Sequence, residues 1–318
     1  MPLFQGWYTL FIMKIPFLAL LAALIVPSLS LPAFAVVESI NVQTYNPSTS
    51  DRFVVLEDGF RPVSGRKDLF YFGVNYNFFN DPLPVLDATQ TVLLGHLIDN
   101  IQTVDLFAGI KLSNTFGLFI GAPIHYIRFP STFNGAAAAI SGDKTAMGDF
   151  KIMGKLRLTE DDSNTHIAFI PEVHLPTGAT QYLVSDASPY LGFRFALERQ
   201  FEAWTLAVNL GYVSAANAVY TPFGFTSINY RNRLITGIGG YLPFNDEFGM
   251  SVEVNSINMI PFNNSINPND AYAGLRYSPL NGLAITAGGA VGRIGGQLSS
   301  TYRLVAGLRY AFSEDLPK

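Results

Sequence analysis

The sequence predicts an all-β fold, a transmembrane antiparallel up-and-down β-barrel of about 12 strands. Three observations predict it. The chain of 318 residues is 49% hydrophobic and only 14% charged, which is unusually apolar for a soluble protein. Hydrophobic side chains alternate with polar or small ones along many short segments. The connections between these segments are alternately short and long, as in barrels that cross a membrane.

The clearest of these segments is the last one, residues 301–312. Its even positions carry tyrosine, leucine, alanine, leucine, tyrosine and phenylalanine, whereas its odd positions carry small residues and two arginines. Because successive side chains of a strand point to opposite faces, one face is apolar with aromatic ends and the other is small or cationic. An apolar band between aromatic girdles is typical of the lipid-facing side of a transmembrane strand.

The first four predicted strands show the same alternation. Residues 69–79 place aromatic and apolar side chains on one face and tyrosine, glycine and asparagine on the other. Residues 101–112 and 115–128 follow, although Pro123 counts against the third strand because proline removes a ladder hydrogen bond. Residues 147–158 alternate apolar with charged side chains.

The remaining strands complete the predicted barrel. They are residues 165–175, 189–197, 203–213, 229–242, 248–258, 271–277 and 282–292, together with the last segment. Their lengths are close to the roughly 9 to 11 residues expected for a tilted membrane strand. The even strand count is what single-chain bacterial barrels have.

The connections between the predicted strands fall into two classes. The short class contains residues 113–114, 159–164, 198–202, 243–247 and 278–281. The long class contains residues 80–100, 129–146, 176–188, 214–228 and 259–270, and the final connection, 293–300, is of modest length. Short periplasmic turns that alternate with longer extracellular loops are typical of outer-membrane barrels. A soluble β-sandwich, the alternative fold, has no reason to alternate in this way.

The N-terminus carries the features of an export signal. Lys14 precedes an apolar core at residues 17–26, and Ala33-Phe34-Ala35 matches an A-x-A cleavage site. A retained N-terminal membrane anchor is the alternative interpretation. Met13 followed by Lys14 is a more usual signal-peptide start than Met1, and the choice of start stays open.

The predicted domain organisation has four parts. Residues 1–35 form the signal peptide, and residues 36–68 form a periplasmic N-terminal segment or a partial plug. Residues 69–312 form the outer-membrane β-barrel, and residues 313–318 form a C-terminal tail. The absence of cysteine means that an exported chain of this size needs no disulfide, and a continuous hydrogen-bonded barrel can hold it together.

Several short motifs resemble those of known outer-membrane barrels. They are Gly148-Asp149-Phe150-Lys151, residues 171–178, residues 208–212 and residues 302–310. These residues resemble the barrel region of OmpA-family-like proteins and of phenol-degradation-pathway transporter-like barrels. The resemblance implies a barrel without the peptidoglycan-binding domain that many such proteins carry. It also implies recognition of the last strand by the barrel-assembly machinery, although Phe312 is not terminal as that pattern usually requires.

Alternation also predicts which side chains face the lumen. The candidates for lumen or selectivity residues are Lys111, Lys151, Lys155, Arg157, Glu172, Arg194, Arg231, Arg233, Glu253, Arg276, Arg303 and Arg309. Rings of arginine and lysine favour anions in a pore, so one interpretation is an anion-biased channel. The alternative is a salt-bridged interior that holds the barrel together. In that case, the 159–164 turn places Lys151 opposite Glu172 and Asp149 opposite His174.

The sequence predicts a passive channel or transporter for small solutes in the bacterial outer membrane, surrounded by outer-membrane lipid. The alternative is a structural or interaction barrel with a closed or lipid-filled lumen, and a homo-oligomer is compatible with either function. We expect no enzymatic activity, no cofactor, no metal and no nucleic-acid partner. A lipid hydrolase is a weaker alternative, because it needs a nucleophilic serine beside a histidine. The four histidines, His96, His125, His166 and His174, show no such arrangement.

Overall fold

The computed structural model describes most of the chain after residue 46. The described residues are 47–60, 66–82, 84–86, 93–133, 136–137, 140–186, 188–214, 218–220, 228–230, 232–260, 267–292 and 301–315. The predicted signal peptide, residues 1–35, and the predicted lumen residue Arg231 lie outside them.

Twelve antiparallel strands form the barrel. They are β1 (Arg66–Asn80), β2 (Asn100–Lys111), β3 (Phe116–Phe129), β4 (Gly142–Met147 and Phe150–Arg157), β5 (Thr165–Leu175), β6 (Tyr190–Gln200), β7 (Thr205–Ser214), β8 (Arg233–Pro243), β9 (Phe248–Met259), β10 (Asn269–Tyr277), β11 (Leu283–Val291) and β12 (Tyr302–Asp315). Each strand pairs with the next along the chain. The first strand also pairs with the last, with Val74 opposite Leu308, so the sheet closes on itself. The predicted fold class is confirmed.

The two faces of the sheet differ as the alternation predicts. Leucine, isoleucine and valine side chains on the outer face, such as Leu210, Ile238 and Leu275, are more than half exposed. Their inward-facing neighbours, such as Asn209, are buried. A closed ring leaves no unpaired strand edge, and an apolar outer face suits a surrounding of lipid rather than water.

The described connections follow the two predicted classes. Short turns join β2 to β3, β4 to β5 and each later pair at the same end of the barrel, which we call the turn end. At the opposite end, the loop end, short hairpins pair Pro84–Leu86 with Leu93–His96, and Ala218–Tyr220 with Ile228–Tyr230. Among the described residues, no helix has the length and apolar character needed to cross a membrane.

Two strand predictions are wrong by four residues or more. The eighth strand begins at Arg233 rather than at residue 229, because residues 228–230 pair within a loop hairpin instead. The fourth begins five residues earlier than predicted and is interrupted at Gly148 and Asp149. The interruption lies beside Pro123 of β3, whose nitrogen cannot donate to the ladder; its carbonyl accepts the Gly148 N–H at 2.9 Å.

The predicted register of β4 against β5 is also wrong, by two residues. Lys151 lies opposite His174, and Met153 lies opposite Glu172. The cause is a longer turn than predicted. The backbone N–H of Leu158 donates to the Ile167 carbonyl at 2.7 Å, and the N–H of Ile167 donates to the Thr159 hydroxyl at 3.2 Å. Asp149 faces no strand partner because it lies in the interruption of β4.

Close backbone contact between β10 and β11 generates a prediction. A Cβ atom at Gly288 would overlap the carbonyl oxygen of Ala273 and lie 2.8 Å from the Cα of Gly274. We expect Gly288→Ala to lower the free energy of unfolding by about 1–3 kcal/mol, as overpacking does. The measurement is the urea concentration at which the heat-modifiable folded band disappears from gels. Gly240→Ala is the matched control, since its nearest neighbour is a Trp204 ring atom at 3.8 Å. Equal midpoints for the two variants would contradict the prediction.

Candidate functional site

Residues 47–60 lie inside the barrel, and we call this segment the inner loop. The N–H of Ser48 donates to the Val54 carbonyl at 3.1 Å, and its hydroxyl donates to the Leu56 carbonyl at 2.6 Å. The segment is therefore folded back on itself. Its apolar residues pack against inward-facing aromatic side chains, with Phe53 edge-on to Tyr241 at 6.3 Å between ring centroids.

A buried carboxylate of β9 holds the backbone of the inner loop. Glu253 accepts the N–H groups of Val54, Val55 and Leu56 at 2.6, 2.9 and 2.9 Å. The Ser251 hydroxyl donates to the same carboxylate at 2.8 Å. These hydrogen bonds offset the free-energy cost of burying both the carboxylate and the amide N–H groups.

A second backbone clamp comes from β7. The side-chain oxygen of Asn209 accepts the Glu57 N–H, and its amide nitrogen donates to the Glu57 carbonyl, both at 2.8 Å. Both Leu56 and Asn209 lie near the small inward positions of β8. A Cβ at Gly237 would overlap Leu56, and one at Gly239 would lie 2.9 Å from it. Glycine at these positions lets the inner loop approach the wall closely.

Charged side chains of four further strands contact the inner loop. Lys155 of β4 contacts Glu57 at 2.7 Å and Asp58 at 3.0 Å. Glu198 of β6 pairs with Arg52 in a bidentate contact at 2.5 and 2.9 Å. Two further contacts come from the last strands: Arg276 to Asp51 at 3.2 Å, and Arg309 to the Thr49 carbonyl. Each inner-loop charge thus has an opposite charge on the wall.

The neighbouring cations change the acidity of the inner loop. Burial alone would raise the pKa values of Asp51, Glu57 and Asp58, but the attraction of nearby cations outweighs it and lowers all three below their ordinary range. Lys155 is the largest lowering influence on Glu57 and Asp58, and Arg52 is the largest on Asp51. The carboxyl groups are therefore ionised at neutral pH.

The other predicted lumen residues near the turn end have local partners. Lys111 lies over the ring of Phe60, with its Nζ atom 5.1 Å from the centroid. Arg157 is fully buried and contacts Asp161 in the following turn.

The predicted residues nearer the loop end form separate pairs. Arg303 contacts Asp270 at 3.2 Å and covers the ring of Phe79 at 3.6 Å. Arg233 approaches Asp186 of the β5–β6 loop at 3.5 Å. Arg194 lies 3.9 Å from Glu172, which is longer than a hydrogen bond.

The loop between β5 and β6 is hydrogen-bonded to the interruption in β4. Asp149 accepts the Asp186 N–H at 2.9 Å, the Gly178 N–H at 3.3 Å and the Ser185 hydroxyl. Burial raises the pKa of Asp186 to about 6, although Arg233 acts against it. The three hydrogen bonds to Asp149 fix the loop to the interruption in β4.

Two cavities lie on either side of the inner loop. The upper cavity, of about 110 Å³, is lined by Asp105, Phe107, Lys151, Glu172, His174 and Tyr190, among others. The lower cavity, of about 370 Å³, is lined by Asp51, Arg52, Lys155, Arg276 and Arg309 and by the turns at residues 246–247 and 278–283. Thr49 of the inner loop lines both. Within the described part of the chain, no group of three histidine or acidic residues is arranged to hold a metal ion.

The comparisons with known proteins give a family match to part of the chain and a likeness of fold. The family described as "putative MetA-pathway of phenol degradation" matches residues 87–230. None of the curated proteins matches the chain. The family match supports the phenol-degradation part of the resemblance found in the sequence, whereas the OmpA-family part gains no support.

Several solved structures are similar to the chain. An outer membrane channel from Pseudomonas putida F1 is 10% identical, covers 79% of this chain and 99% of its own, and has a TM-score of 0.56. The NanC porin is 8% identical over 76% and 98% of the two chains, with a TM-score of 0.49. The toluene transporter TbuX of Ralstonia pickettii is 8% identical over 77% and 90%, with a TM-score of 0.41. The similarity to the Pseudomonas putida channel is a similarity of fold.

Removing the Glu253 carboxylate tests the backbone clamp. We expect Glu253→Ala to free the inner loop, because three buried N–H groups lose their acceptor at a cost of about 1–3 kcal/mol each. The measurement is the rate of limited proteolysis within residues 47–60 in the folded, detergent-solubilised barrel. Glu160→Ala, in the exposed β4–β5 turn, is the control. Cleavage at the wild-type rate in Glu253→Ala would contradict the assignment.

The lowered pKa values of the inner-loop carboxyl groups predict a pH dependence. The ordinary pKa of a carboxyl group is about 4. Above that pH, the ionised carboxylates contribute fully to holding the inner loop, and the contribution is lost as the pH falls below it. The chain has no cysteine, so Pro47→Cys can carry a single spin label. We expect its spectrum to stay immobilised from neutral pH to about pH 4 and to become mobile only in stronger acid. Mobilisation already between neutral pH and about pH 5 would contradict the prediction.

Proposed function

We propose that this chain is a channel for small solutes in the Gram-negative outer membrane, that the inner loop closes it in the present conformation, and that the lumen prefers anions once the inner loop leaves. The apolar outer face and the likeness to an outer membrane channel support the location. The match to the phenol-degradation family supports a role in the uptake of small molecules. Outer-membrane lipid and the barrel-assembly machinery are the partners that such a location requires.

The observation that carries the proposal is the position of the inner loop between two cavities of one lumen. Thr49 lines the upper and the lower cavity, so a single short segment separates them. The segment is attached to the wall by side-chain contacts, while the barrel ladder closes without it. A path therefore opens when these contacts are broken, with no change in the strands.

The anion preference follows from the charges that the inner loop now neutralises. Its departure removes three carboxylates and one guanidinium, which are Asp51, Glu57, Asp58 and Arg52. The wall residues left without these partners are the cations Lys155, Arg276 and Arg309 and the carboxylates Glu198 and Glu253. Lys111 also loses its contact with Phe60. The excess of wall cations favours anions.

A structural barrel with a permanently closed lumen is the second candidate. The number of buried contacts made by the inner loop favours it, since a loop held by Glu253, Asn209 and Lys155 is costly to detach. We propose no enzymatic activity, and a lipase assay on the purified protein tests that statement.

Deletion of residues 47–60 separates the two candidates. In planar bilayers we expect the deletion variant to show steady conductance steps, with a reversal potential that indicates anion preference. The intact chain is expected to conduct only in rare openings. The matched variant Asp51→Asn, Glu57→Gln, Asp58→Asn keeps the length of the inner loop but weakens its attachment, so we expect its openings to be more frequent.

Either of two results overturns part of the proposal. A folded deletion variant that conducts no more than the intact chain supports the structural barrel. A conducting variant with cation preference contradicts the anion preference alone.

A further inference from the structure

Two arginines on the wall of the lower cavity have more hydrogen-bond donors than partners. Arg276 of β10 contacts Asp51 of the inner loop through Nη2 at 3.2 Å, and its buried Nε has no hydrogen-bond partner among the described residues. Arg309 of β12 donates through Nη1 to the Thr49 carbonyl and covers the ring of Tyr71, with its Cζ atom 4.7 Å from the centroid. A guanidinium group has five N–H donors, so the two arginines can bind further acceptor oxygens.

The lower cavity has space for an added group beside these arginines. In the strand register, Arg276 lies opposite Thr286 of β11, and Arg309 lies opposite Ala284. The strand between the two arginines therefore contributes only small side chains at these positions. The cavity volume is about 370 Å³. A cavity needs only about 10–15 Å³ to hold one water molecule, so a solute of several heavy atoms fits here.

The buried charges around the cavity are already balanced, so an anion enters in exchange for a carboxylate. Four cations face four carboxylates, which are Arg52, Lys155, Arg276 and Arg309 against Asp51, Glu57, Asp58 and Glu198. The side chain of Asp51 is 43% exposed, whereas those of the other three carboxylates are 0 to 11% exposed. Asp51 is therefore the carboxylate that is exchanged at the lowest cost.

The lower cavity lies on the turn-end side of the inner loop. Its lining includes Asp246 and Glu247 of the β8–β9 turn and residues 278–283 of the β10–β11 turn. Both acidic residues are exposed, so water and salt screen their charges. A solute that enters at the turn end therefore meets the two arginines without passing the inner loop.

The guanidinium groups determine the chemical class of the ligand. Their planar forks match the paired oxygens of a carboxylate or a phosphate, and hydrogen bonds between charged partners are stronger than those between neutral ones. A halide ion is a single atom and cannot accept two parallel hydrogen bonds on separate atoms. A small oxyanion therefore satisfies both the free donor of Arg276 and the donor that Asp51 releases.

We infer that the lower cavity binds one small oxyanion between Arg276 and Arg309, in exchange for Asp51 of the inner loop. The Asp51 contact is one of those that attach the inner loop to the wall, so an oxyanion at this site loosens the attachment from the turn end. The consequence for opening rests on the proposed function. The binding site itself does not, since it is present in the closed barrel.

Isothermal titration calorimetry of the intact, detergent-solubilised barrel tests the site. The probes are inorganic phosphate, acetate and chloride, each in Tris buffer at the same ionic strength. We expect phosphate and acetate to bind at least about tenfold more tightly than chloride, because only the oxyanions fit the guanidinium forks. Absence of phosphate and acetate binding, or equal binding of all three anions, would overturn the inference.

Variants test the assignment of residues. We expect Arg276→Gln and Arg309→Gln each to weaken phosphate binding about tenfold, whereas Asp51→Asn strengthens it about tenfold because the competing carboxylate is gone. Arg199→Gln, which changes an exposed arginine near the turn end, is the matched control. Heat-modifiable gel mobility verifies that each variant is folded. Unchanged binding in the Arg276 and Arg309 variants overturns the site, and weaker binding in Asp51→Asn overturns the exchange.

Limited proteolysis within residues 47–60 tests the effect on the inner loop. We expect phosphate to raise the cleavage rate of the wild-type barrel above its rate in chloride. The rate for Arg276→Gln is expected to be high in both salts, because its Asp51 contact is already lost. Equal wild-type rates in phosphate and chloride would overturn the loosening. Neither calorimetry nor proteolysis uses conductance, so failure of the site and failure of the proposed channel are distinguishable.

Discussion

The arrangement of the lumen depends on one constraint: a charge buried inside the barrel needs an opposite charge or several hydrogen bonds. Lys155 and Glu253 are almost fully buried on the inner wall, and both find their partners in the inner loop. An uncompensated charge at either position would be costly. The inner loop is therefore part of the interior of this barrel. The wall charges need its polar groups as partners, and its own charges need the wall.

This mutual dependence also divides the lumen. Below the inner loop, the cations of β4, β10 and β12 surround a wide cavity whose charges are balanced by the loop. Above it, aromatic rings and the side chains of Glu172 and His174 surround a smaller one. The two cavities differ in chemistry because only the lower one receives the acidic side chains of the inner loop.

Much of the fold could be predicted from the sequence because a strand repeats every two residues. Alternation located the twelve strands and distinguished lumen-facing from outward-facing positions. It failed where backbone chemistry departs from the ladder: the two-residue register error comes from a Thr159 side-chain bond in a turn, and the interruption of β4 comes from Pro123. Residues 228–230 kept a strand conformation but paired inside a loop.

The candidate site was much harder to predict. The inner loop has no periodicity, and its partners are far away in the sequence, as Arg52 and Glu198 illustrate. Alternation can identify Lys155 as an inward-facing cation, but it contains no information about what that cation touches. Residues 36–68 could be predicted only as a periplasmic segment or a partial plug; within them, the local signal is an apolar run, residues 53–56, directly followed by Glu57 and Asp58. The roles assigned to the lumen residues remain predictions.

The central claim is that the inner loop is bound to the barrel wall in the native state. Hydrogen–deuterium exchange at the amides of Val54, Val55 and Leu56 tests it most directly, because each of these N–H groups donates to Glu253. The structure predicts that they exchange as slowly as strand amides in the folded barrel. Exchange at the rate of an unstructured peptide, in a barrel whose strands stay protected, would contradict the account.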